Sequence, residues 1–376
     1  MPPVSLLIKP ASGNCNLRCK YCFYHDLAAN RQTKSFGVMG AETLEILVQR
    51  AFADAELACS FAFQGGEPTL AGLDFYRRFV ALVSRYNVRK LKVALSIQTN
   101  GLALDRDWAE FLAANKFLVG ISLDGPGEIH DLNRVDGRGE GSYARVMRAI
   151  DLLDRYKVEY NILFVVNAAV ARHADRVLRF FEKHSFRYLQ FIPCLDPLGE
   201  APGAHEYSLR PDRYAAFLKS AFDRWHGAFM RGEPVSIRHF DNLAGMVLGH
   251  RPEACGMSGE CTCQLVIEAD GGVYPCDFYV NDAWHLGNIR AHSLEDLRRS
   301  EKARFFVESS RHIDPKCKEC RWYALCRGGC RRSREPFVDG KPSLYHYCSS
   351  MQDFFEHAGD GIMQVARVVA AGARRG

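Results

Sequence analysis

The sequence lacks the long apolar runs of a membrane protein, because no stretch approaches about 18 uninterrupted apolar residues. Its first ten residues, MPPVSLLIKP, have no basic segment and only a short apolar run, so we expect no signal peptide. No basic run alternates with aromatic residues, as it does in proteins that bind single-stranded nucleic acid. These absences favour a cytoplasmic protein that binds neither a membrane nor a nucleic acid.

Extremes of charge and composition are also missing. Among 376 residues, 49 basic and 44 acidic side chains leave a net charge of +5, which is at most a weak indication of an anionic partner. Hydrophobic residues make up 47% of the chain, and no low-complexity linker or solenoid repeat interrupts it. The chain is long enough for a large buried core and for more than one domain.

Cysteine is the abundant exception, with fourteen residues. A disulfide framework is not expected in a reducing compartment. Three cysteines lie within 15–22, four within 255–276 and five within 317–348, and this clustering indicates metal or iron–sulfur ligation. Cys59 and Cys194 stand alone in apolar runs, where we expect them to be buried apolar residues.

Six short apolar runs each end in a polar or glycine-rich turn, at 5–12, 60–68, 93–101, 117–125, 159–167 and 188–196. Amphipathic helical segments lie between them at 42–55, 74–86, 143–156 and 174–184. The alternation predicts βαβ units and a parallel sheet, either as a complete or partial barrel or as an open doubly wound sheet. In either architecture the polar residues that end the strands converge on one rim.

The alternation fades after residue 210, where a helical stretch at 212–231 leads to a cysteine-rich region at 255–348. We expect a second domain there, whose core is supplemented by metal, and a final helix at 354–373. The segment QLVIEADGGVYPC (264–276) predicts a β-hairpin, because an Asp-Gly-Gly turn joins two alternating runs.

The first cysteine motif, CNLRCKYC, places Cys15, Cys19 and Cys22 in the spacing C-x3-C-x2-C. Zinc sites are normally built from paired C-x2-C knuckles with four ligands. Three thiolates suit a 4Fe–4S cube in which one iron stays open to a small molecule. Tyr21 adds an aromatic ring on which an adenine or a substrate could rest.

This motif, sited after the first strand, resembles the radical S-adenosylmethionine superfamily. The resemblance implies an α/β fold with a partial (β/α)6 barrel, and it implies that S-adenosylmethionine chelates the open iron through its amino and carboxylate groups. It further implies that Gly66 and Glu67 of the GGEP motif hold the methionine amino group. The other cofactor-binding residues that it implies are Tyr21, Gln98, Ser122, Arg134 and Leu195.

The later cysteines resemble the SPASM extension of enzymes in this superfamily that modify peptides. Two spacings carry the resemblance, namely Cys261-x9-Gly271-x4-Cys276 and Cys317-x2-Cys320-x5-Cys326-x3-Cys330. The extension implies a C-terminal iron–sulfur domain with two auxiliary 4Fe–4S clusters, and three clusters in all. The ligands would be Cys255, Cys261, Cys276 and Cys330 for one auxiliary cluster and Cys317, Cys320, Cys326 and Cys348 for the other. Cys263 competes with Cys261, but the spacing counts from Cys261.

Longer stretches narrow the resemblance to the anaerobic sulfatase-maturating enzymes, and they include CNLRCKYCFYHDL, SFAFQGGEPTLAGL, FLVGISLDGP and CTCQLVIEADGGVYPCDFYV. These enzymes oxidise a cysteine or serine of a sulfatase to Cα-formylglycine. The resemblance implies that a 5′-deoxyadenosyl radical removes a Cβ hydrogen and that an auxiliary cluster takes up the remaining electron. Asp277 would accept the thiol or hydroxyl proton; the alternative is an aspartate that caps backbone amides in a turn.

The implied partners are a nascent or unfolded sulfatase polypeptide, which Tyr24 and Gln64 would contact, and a flavodoxin- or ferredoxin-like electron donor. We expect the barrel at 1–235, the SPASM domain at 236–348 and the C-terminal helix at 349–376. Residues 374–376 of that helix lie outside the part of the chain described below.

Two rival functions stay open from sequence. One is another SPASM enzyme that forms thioether or carbon–carbon crosslinks in a peptide. The other is a non-catalytic scaffold stabilised by zinc, since a Cys317-x2-Cys320 knuckle alone favours zinc. A brown, air-sensitive protein with about twelve irons would exclude the zinc scaffold.

Overall fold

The computed structural model of the protein describes residues 3–373. Its strands, in chain order, are β1 Val4–Ile8, β2 Ala58–Phe63, β3 Lys92–Thr99, β4 Phe117–Ser122, β5 Tyr160–Val166, β6 Tyr188–Pro193, β7 Ser236–Ile237, β8 Val266–Ile267, β9 Gly272–Tyr274, β10 Gly287–Asn288, β11 Phe337–Val338 and β12 Lys341–Pro342. Each of the first six strands overlaps the apolar run from which it was predicted, although β1, β2 and β3 begin one or two residues before their runs.

The α-helices are α1 Phe23–Ala29, α2 Ala41–Asp54, α3 Leu73–Tyr86, α4 Arg106–Ala114, α5 Gly127–His130, α6 Tyr143–Arg155, α7 Ala168–Arg172, α8 Ala174–Lys183, α9 Pro211–Met230, α10 Arg238–Val247, α11 Leu294–Arg299, α12 Glu301–Ser310, α13 Pro315–Lys318, α14 Tyr323–Cys326 and α15 Cys348–Ala373. Five of the predicted helices match α2, α3, α6, α8 and α9 to within about one residue, as expected for helix ends. The last helix begins at Cys348, six residues before the predicted start.

The described residues form two compact units, each assembled from several parts of the chain. The first unit contains residues 3–122, 134–160 and 262–306, and the second contains residues 123–133, 161–261 and 307–373. The domain boundaries expected at residues 235 and 348 stay a prediction.

The sheet of the first unit has the strand order β10-β9-β8-β1-β2-β3-β4. Neighbouring strands from β8 to β4 run parallel, with Ile8 opposite both Phe63 of β2 and Ile267 of β8. The predicted hairpin is present, because β8 and β9 pair antiparallel on either side of the Asp-Gly-Gly turn. The α/β fold class is confirmed, and β8 extends the parallel sheet beyond β1.

Aromatic packing holds the helices of the first unit on this sheet. Residues of β2 alternate between half-buried and buried, which places Phe61 and Phe63 on one face. Both rings meet Phe79 of α3, with ring centroids 5.1 and 4.9 Å apart. The alternation of side chains along β2 and their helical spacing along α3 therefore place these rings in a single core.

In the second unit β5, β6 and β7 form a parallel set. Phe164 of β5, Phe191 of β6 and Phe217 of α9 pack together, with ring centroids 5.2 to 6.1 Å apart. Helix α15 lies along α9, where Phe354 meets Phe222 at 5.9 Å. The long final helix is thereby part of the core of this unit.

The two cysteines that stand outside the clusters are buried. Cys59 and Cys194 are 1% and 3% exposed, as expected for apolar filling residues. Within residues 3–373 no helix is long and apolar enough to cross a membrane.

Candidate active site

The three cysteines of the first motif lie in one loop, residues 15–22, between β1 and α1. The amide of Cys22 donates to the carbonyl of Cys19 at 3.1 Å, and Cys22 directly precedes α1. Cys15, Cys19 and Cys22 are all partly exposed. The loop therefore presents its thiols beyond the carboxyl end of β1, where the strand pattern places functional residues.

The GGEP segment packs against the chain just before this loop. The amide of Gly66 donates to the carbonyl of Ser12 at 3.1 Å, and the amide of Glu67 donates to the carbonyl of Asn14 at 2.7 Å. A Cβ atom on Gly66 would lie 2.1 Å from the Asn14 carbonyl oxygen, so only glycine fits there. The structure thus brings together two motifs that are fifty residues apart in sequence.

The Glu67 carboxylate is buried and bonded to the protein on both oxygens. Oε1 accepts hydrogen bonds from the hydroxyls of Thr69 and Thr99 at 2.6 and 2.7 Å, and Oε2 accepts from the amide of Asn100 at 2.8 Å. Burial raises the pKa of Glu67, and these hydrogen bonds oppose the rise. Glu67 therefore fastens the GGEP turn to the end of β3, while its contact with a methionine amino group stays a prediction.

The Cys15 sulfur receives two N–H donors, the amide of Leu17 at 3.3 Å and the side-chain amide of Asn100 at 3.8 Å. Burial raises the pKa of Cys15 to about 11, and the charge of Glu67 adds to the rise. No sequence motif assigned a role to Asn100. Its position directly after β3 was the available signal.

The other predicted cofactor residues fall into two pairs and one separate residue. The Arg134 guanidinium lies 5.5 Å from the Tyr21 ring centroid, and both side chains are buried. The side-chain amide of Gln98 donates to the Ser122 hydroxyl at 3.2 Å. Leu195 lies in the second unit, two residues beyond β6. Their contacts with S-adenosylmethionine stay predictions.

Asp277 follows the hairpin strand β9 and is 6% exposed. Its Oδ2 accepts hydrogen bonds from the Tyr24 hydroxyl and, at 3.2 Å, from the Gln64 side-chain amide. The same amide donates to the Tyr24 hydroxyl at 2.7 Å. Residues from α1, the end of β2 and the hairpin therefore meet at one carboxylate, while the contact of Tyr24 and Gln64 with a peptide stays a prediction.

A buried cation stands beside this carboxylate. The Lys9 ammonium lies 4.0 Å from Oδ1 of Asp277 and 3.7 Å from Glu268, and Arg31 pairs with Glu268 at 2.7 Å. Burial raises the pKa of Asp277 against the opposing Lys9 charge. Burial also tends to raise the pKa of Glu268, but the positive charges of Lys9 and Arg31 outweigh burial, so the pKa of Glu268 is lowered. No sequence motif pointed to Lys9, Arg31 or Glu268. A lysine at the end of an apolar strand could have indicated Lys9.

Four cysteines of the second unit line one small cavity: Cys317, Cys320, Cys326 and Cys348. The rest of its wall is mostly apolar or aromatic and includes Met351 and Phe355 of α15. Burial raises the pKa of Cys326 to about 12, and the neighbouring cysteines add to the rise. Four convergent thiols in a sheltered cavity are the donor set that a 4Fe–4S cube takes.

Three of the other predicted ligands, Cys255, Cys261 and Cys330, also gather in the second unit. The Cα of Gly256 lies close enough to Cys330 that an added Cβ would sit 3.3 Å from the Cys330 Cβ. Burial raises the pKa of Cys330 to about 12, with contributions from Cys255 and Cys261. Cys276 and the competitor Cys263 belong to the first unit. The choice of Cys261 over Cys263, and the inclusion of Cys276, stay predictions.

The thiols fit iron–sulfur groups by their chemistry. A buried thiol with a raised pKa becomes a thiolate when a cation stands beside it, and iron supplies that charge. Within residues 3–373, no three His, Cys, Asp or Glu side chains form a site for a single metal ion.

Two family models match the chain. The model of the radical SAM superfamily matches residues 10–179, which include the cysteine loop and GGEP. The model of the SPASM iron–sulfur cluster-binding domain matches residues 259–321.

Known proteins match nearly the whole chain. The cysteine-type anaerobic sulfatase-maturating enzyme of Clostridium perfringens is 51% identical over 97% of this chain and 99% of its own length. The serine-type enzyme of Bacteroides thetaiotaomicron is 31% identical over 94% and 89%. Among solved structures, native anSMEcpe with bound AdoMet and Cp18Cys peptide matches at 49% identity with a TM-score of 0.94, covering 98% of this chain and 100% of that one.

Proposed function

This chain belongs to the anaerobic sulfatase-maturating enzymes of the radical S-adenosylmethionine superfamily, and on that premise we propose that it oxidises a cysteine of a sulfatase polypeptide to Cα-formylglycine. The choice of cysteine is supported by the identities, 51% to a cysteine-type enzyme and 31% to a serine-type one. The observation that carries the proposal is the buried carboxylate of Asp277, of which one oxygen is hydrogen-bonded and the other has no hydrogen-bond partner within residues 3–373.

The overall chemistry balances around the cysteine side chain. Three 4Fe–4S groups and S-adenosylmethionine, when bound, supply the radical that removes one Cβ hydrogen atom and an acceptor for one electron. With the thiol proton also lost, CH2–SH becomes CH=S. Water then replaces sulfur by oxygen and releases hydrogen sulfide, which leaves the aldehyde of formylglycine.

Asp277 is the group that accepts the thiol proton. Its Oδ2 is fixed by Tyr24 and Gln64, whereas its Oδ1 accepts no hydrogen bond from any residue within 3–373. The Lys9 ammonium lies 4.0 Å from Oδ1, beyond hydrogen-bond distance. A base must lie within hydrogen-bond reach of its proton, and an unbonded oxygen offers that place.

Tyr24 and Gln64 hold this base in position. The Tyr24 hydroxyl donates to Asp277 and accepts from Gln64, so each of the three side chains fixes the other two. Their direct contact with the peptide is part of the proposal. The cysteine residues 15, 19 and 22 would hold the cluster that binds S-adenosylmethionine, and the cysteine sets 255, 261, 276, 330 and 317, 320, 326, 348 would hold the other two.

The proposed partners are an unfolded sulfatase polypeptide and a flavodoxin- or ferredoxin-like electron donor. We place the protein in the cytoplasm, since all fourteen of its cysteines are free of disulfides. A reducing compartment keeps such thiols available for iron.

The test is an anaerobic assay with S-adenosylmethionine, a reductant and a sulfatase-motif peptide containing cysteine. We expect the peptide mass to show sulfur replaced by oxygen with a net loss of two hydrogens. A matched peptide with alanine in place of the cysteine should keep its mass. Loss of two hydrogens alone would indicate a crosslinking enzyme, and no mass change by the fully loaded protein would contradict the proposal.

A further inference from the structure

A cluster of buried arginines follows Cys330. Arg331, Arg332 and Arg334 are 5%, 8% and 4% exposed, although arginine is among the residues least often buried. Arg331 donates to the Ser309 hydroxyl at 2.6 Å, and Arg332 donates to the carbonyl of Asp196 at 2.5 Å. These contacts anchor the segment, but neither explains why the third arginine is buried.

Arg334 donates only to backbone carbonyls. Its guanidinium bonds to Ser310 at 3.1 Å, to Ser343 at 3.3 Å and to His312. It forms no ion pair with a carboxylate of residues 3–373. The Asp314 carboxylate lines the same small cavity and acts on this charge without forming an ion pair, and thiolates beside the guanidinium would add to the negative charge that compensates a buried cation.

One cysteine of each auxiliary set lies near this guanidinium. Arg334 and Cys317 line the same small cavity. Ser310 links Arg334 to Cys261, because its hydroxyl accepts from the amide of Cys261 at 2.9 Å and its carbonyl accepts from Arg334. The Arg334 charge opposes the rise that burial causes in the pKa of both Cys261 and Cys317. One fixed positive charge therefore acts on a member of each set.

We propose that Arg334 sets the reduction potential of the two auxiliary iron–sulfur groups, holding them ready to accept the electron that leaves the substrate. An oxidised 4Fe–4S core of charge +2 with four thiolates carries a net charge of −2, and uptake of one electron makes it −3. A buried guanidinium near a ligand of each set favours the more negative form, because Coulomb attraction is strong in a medium of low dielectric constant.

The inference rests on the proposed function for the source of the electron, but its test does not need turnover. The variant with Cys15, Cys19 and Cys22 changed to alanine removes the ligands of the first cluster. In that background the auxiliary groups are titrated with reductant and followed by electron paramagnetic resonance, with and without Arg334→Gln. We expect Arg334→Gln to lower a midpoint potential by at least about 59 mV, a tenfold change in the one-electron equilibrium constant.

Two further variants complete the design. Arg334→Lys keeps the charge and should keep the potentials close to those of the background protein. Arg231→Gln removes an exposed arginine that pairs with Glu233, and it should leave them unchanged. If Arg334→Gln fails to retain iron, the result with Arg334→Lys decides. Retention of both the iron and the midpoint potentials in Arg334→Lys then supports the proposal. Unchanged potentials in Arg334→Gln, or loss of iron or potential in Arg334→Lys, would overturn it.

Discussion

The cysteine loop at 15–22 and the cysteines at 317–348 use the same ligand in opposite surroundings. The loop offers three thiols, and after burial the charge of the buried Glu67 carboxylate contributes most to the raised pKa of Cys15. The later set offers four thiols around one cavity, with the buried cation Arg334 beside it. Three ligands leave a place for a reactant, whereas four close the cube. Negative surroundings favour giving up an electron, and positive surroundings favour accepting one.

The comparison predicts its largest effect where a ligand set is removed entirely. Changing Cys15, Cys19 and Cys22 to alanine should abolish S-adenosylmethionine cleavage, because with the proposed sets of four cysteines no other cluster would have an open iron. The measurement is 5′-deoxyadenosine released under reducing conditions. Cys59→Ala, which alters a buried cysteine outside every ligand set, is the control and should keep cleavage. If the triple variant still cleaved S-adenosylmethionine, the proposed distinction between open and closed clusters would be wrong.

The next effect separates initiation from proton transfer. Asp277→Asn should leave deoxyadenosine release in place but lower the formylglycine yield by about 100-fold or more, the usual contribution of a general base. Asp282→Asn is a matched control, because Asp282 accepts a backbone hydrogen bond from Gln32 at 2.8 Å. Both products are quantified in the same reaction. Full formylglycine yield from Asp277→Asn would remove this residue as the base.

A smaller effect tests which cysteines belong to the closed sets. Cys320→Ala should lower the iron content by about a third, since one of three 4Fe–4S groups loses a ligand. Cys261→Ala should have a similar effect, whereas Cys263→Ala should keep its iron. Iron and sulfide analysis of the purified proteins measures this. Iron loss in Cys263→Ala but not in Cys261→Ala would reverse the assignment.

The smallest effect concerns folding stability in the first unit. Lys9→Met removes a cation that is 2% exposed and leaves Asp277 without a facing charge, so we expect a loss of about 3 kcal/mol in the free energy of unfolding. Lys219→Met removes an exposed pair with Asp353 and should cost no more than about 1 kcal/mol. Anaerobic urea titration gives both values. Equal losses would mean that Lys9 does not compensate the buried carboxylates.

Much of the fold followed from local patterns. The six strands that were predicted from apolar runs are present. The period of two in a strand and the period of 3.6 in a helix can each be recognised within a single element. The hairpin followed from Asp-Gly-Gly, and the cysteine motifs followed from fixed spacings. The parallel pairing of Leu7 with Val266 was not predicted, since nothing local tells a strand which distant partner it takes.

The charged residues of the site that were not predicted were missed for the same reason, because their partners are distant in sequence. Lys9, Glu268 and Arg31 come from three distant segments, and only the tertiary fold places their charges together. Arg334 looks like an ordinary basic residue in the run RRSR until its burial is known. Spacing can assign ligands along one segment, but it cannot reveal which charges compensate one another in the core.

The most direct test of the contrast between the two cysteine regions is electron–nuclear double resonance on the reduced protein with isotope-labelled S-adenosylmethionine. We expect hyperfine coupling from the methionine nitrogen and carboxylate oxygen to one cluster, and we expect it to vanish when Cys15, Cys19 and Cys22 become alanine. Coupling that persists in that variant would show that an auxiliary cluster binds the cofactor and would contradict the account.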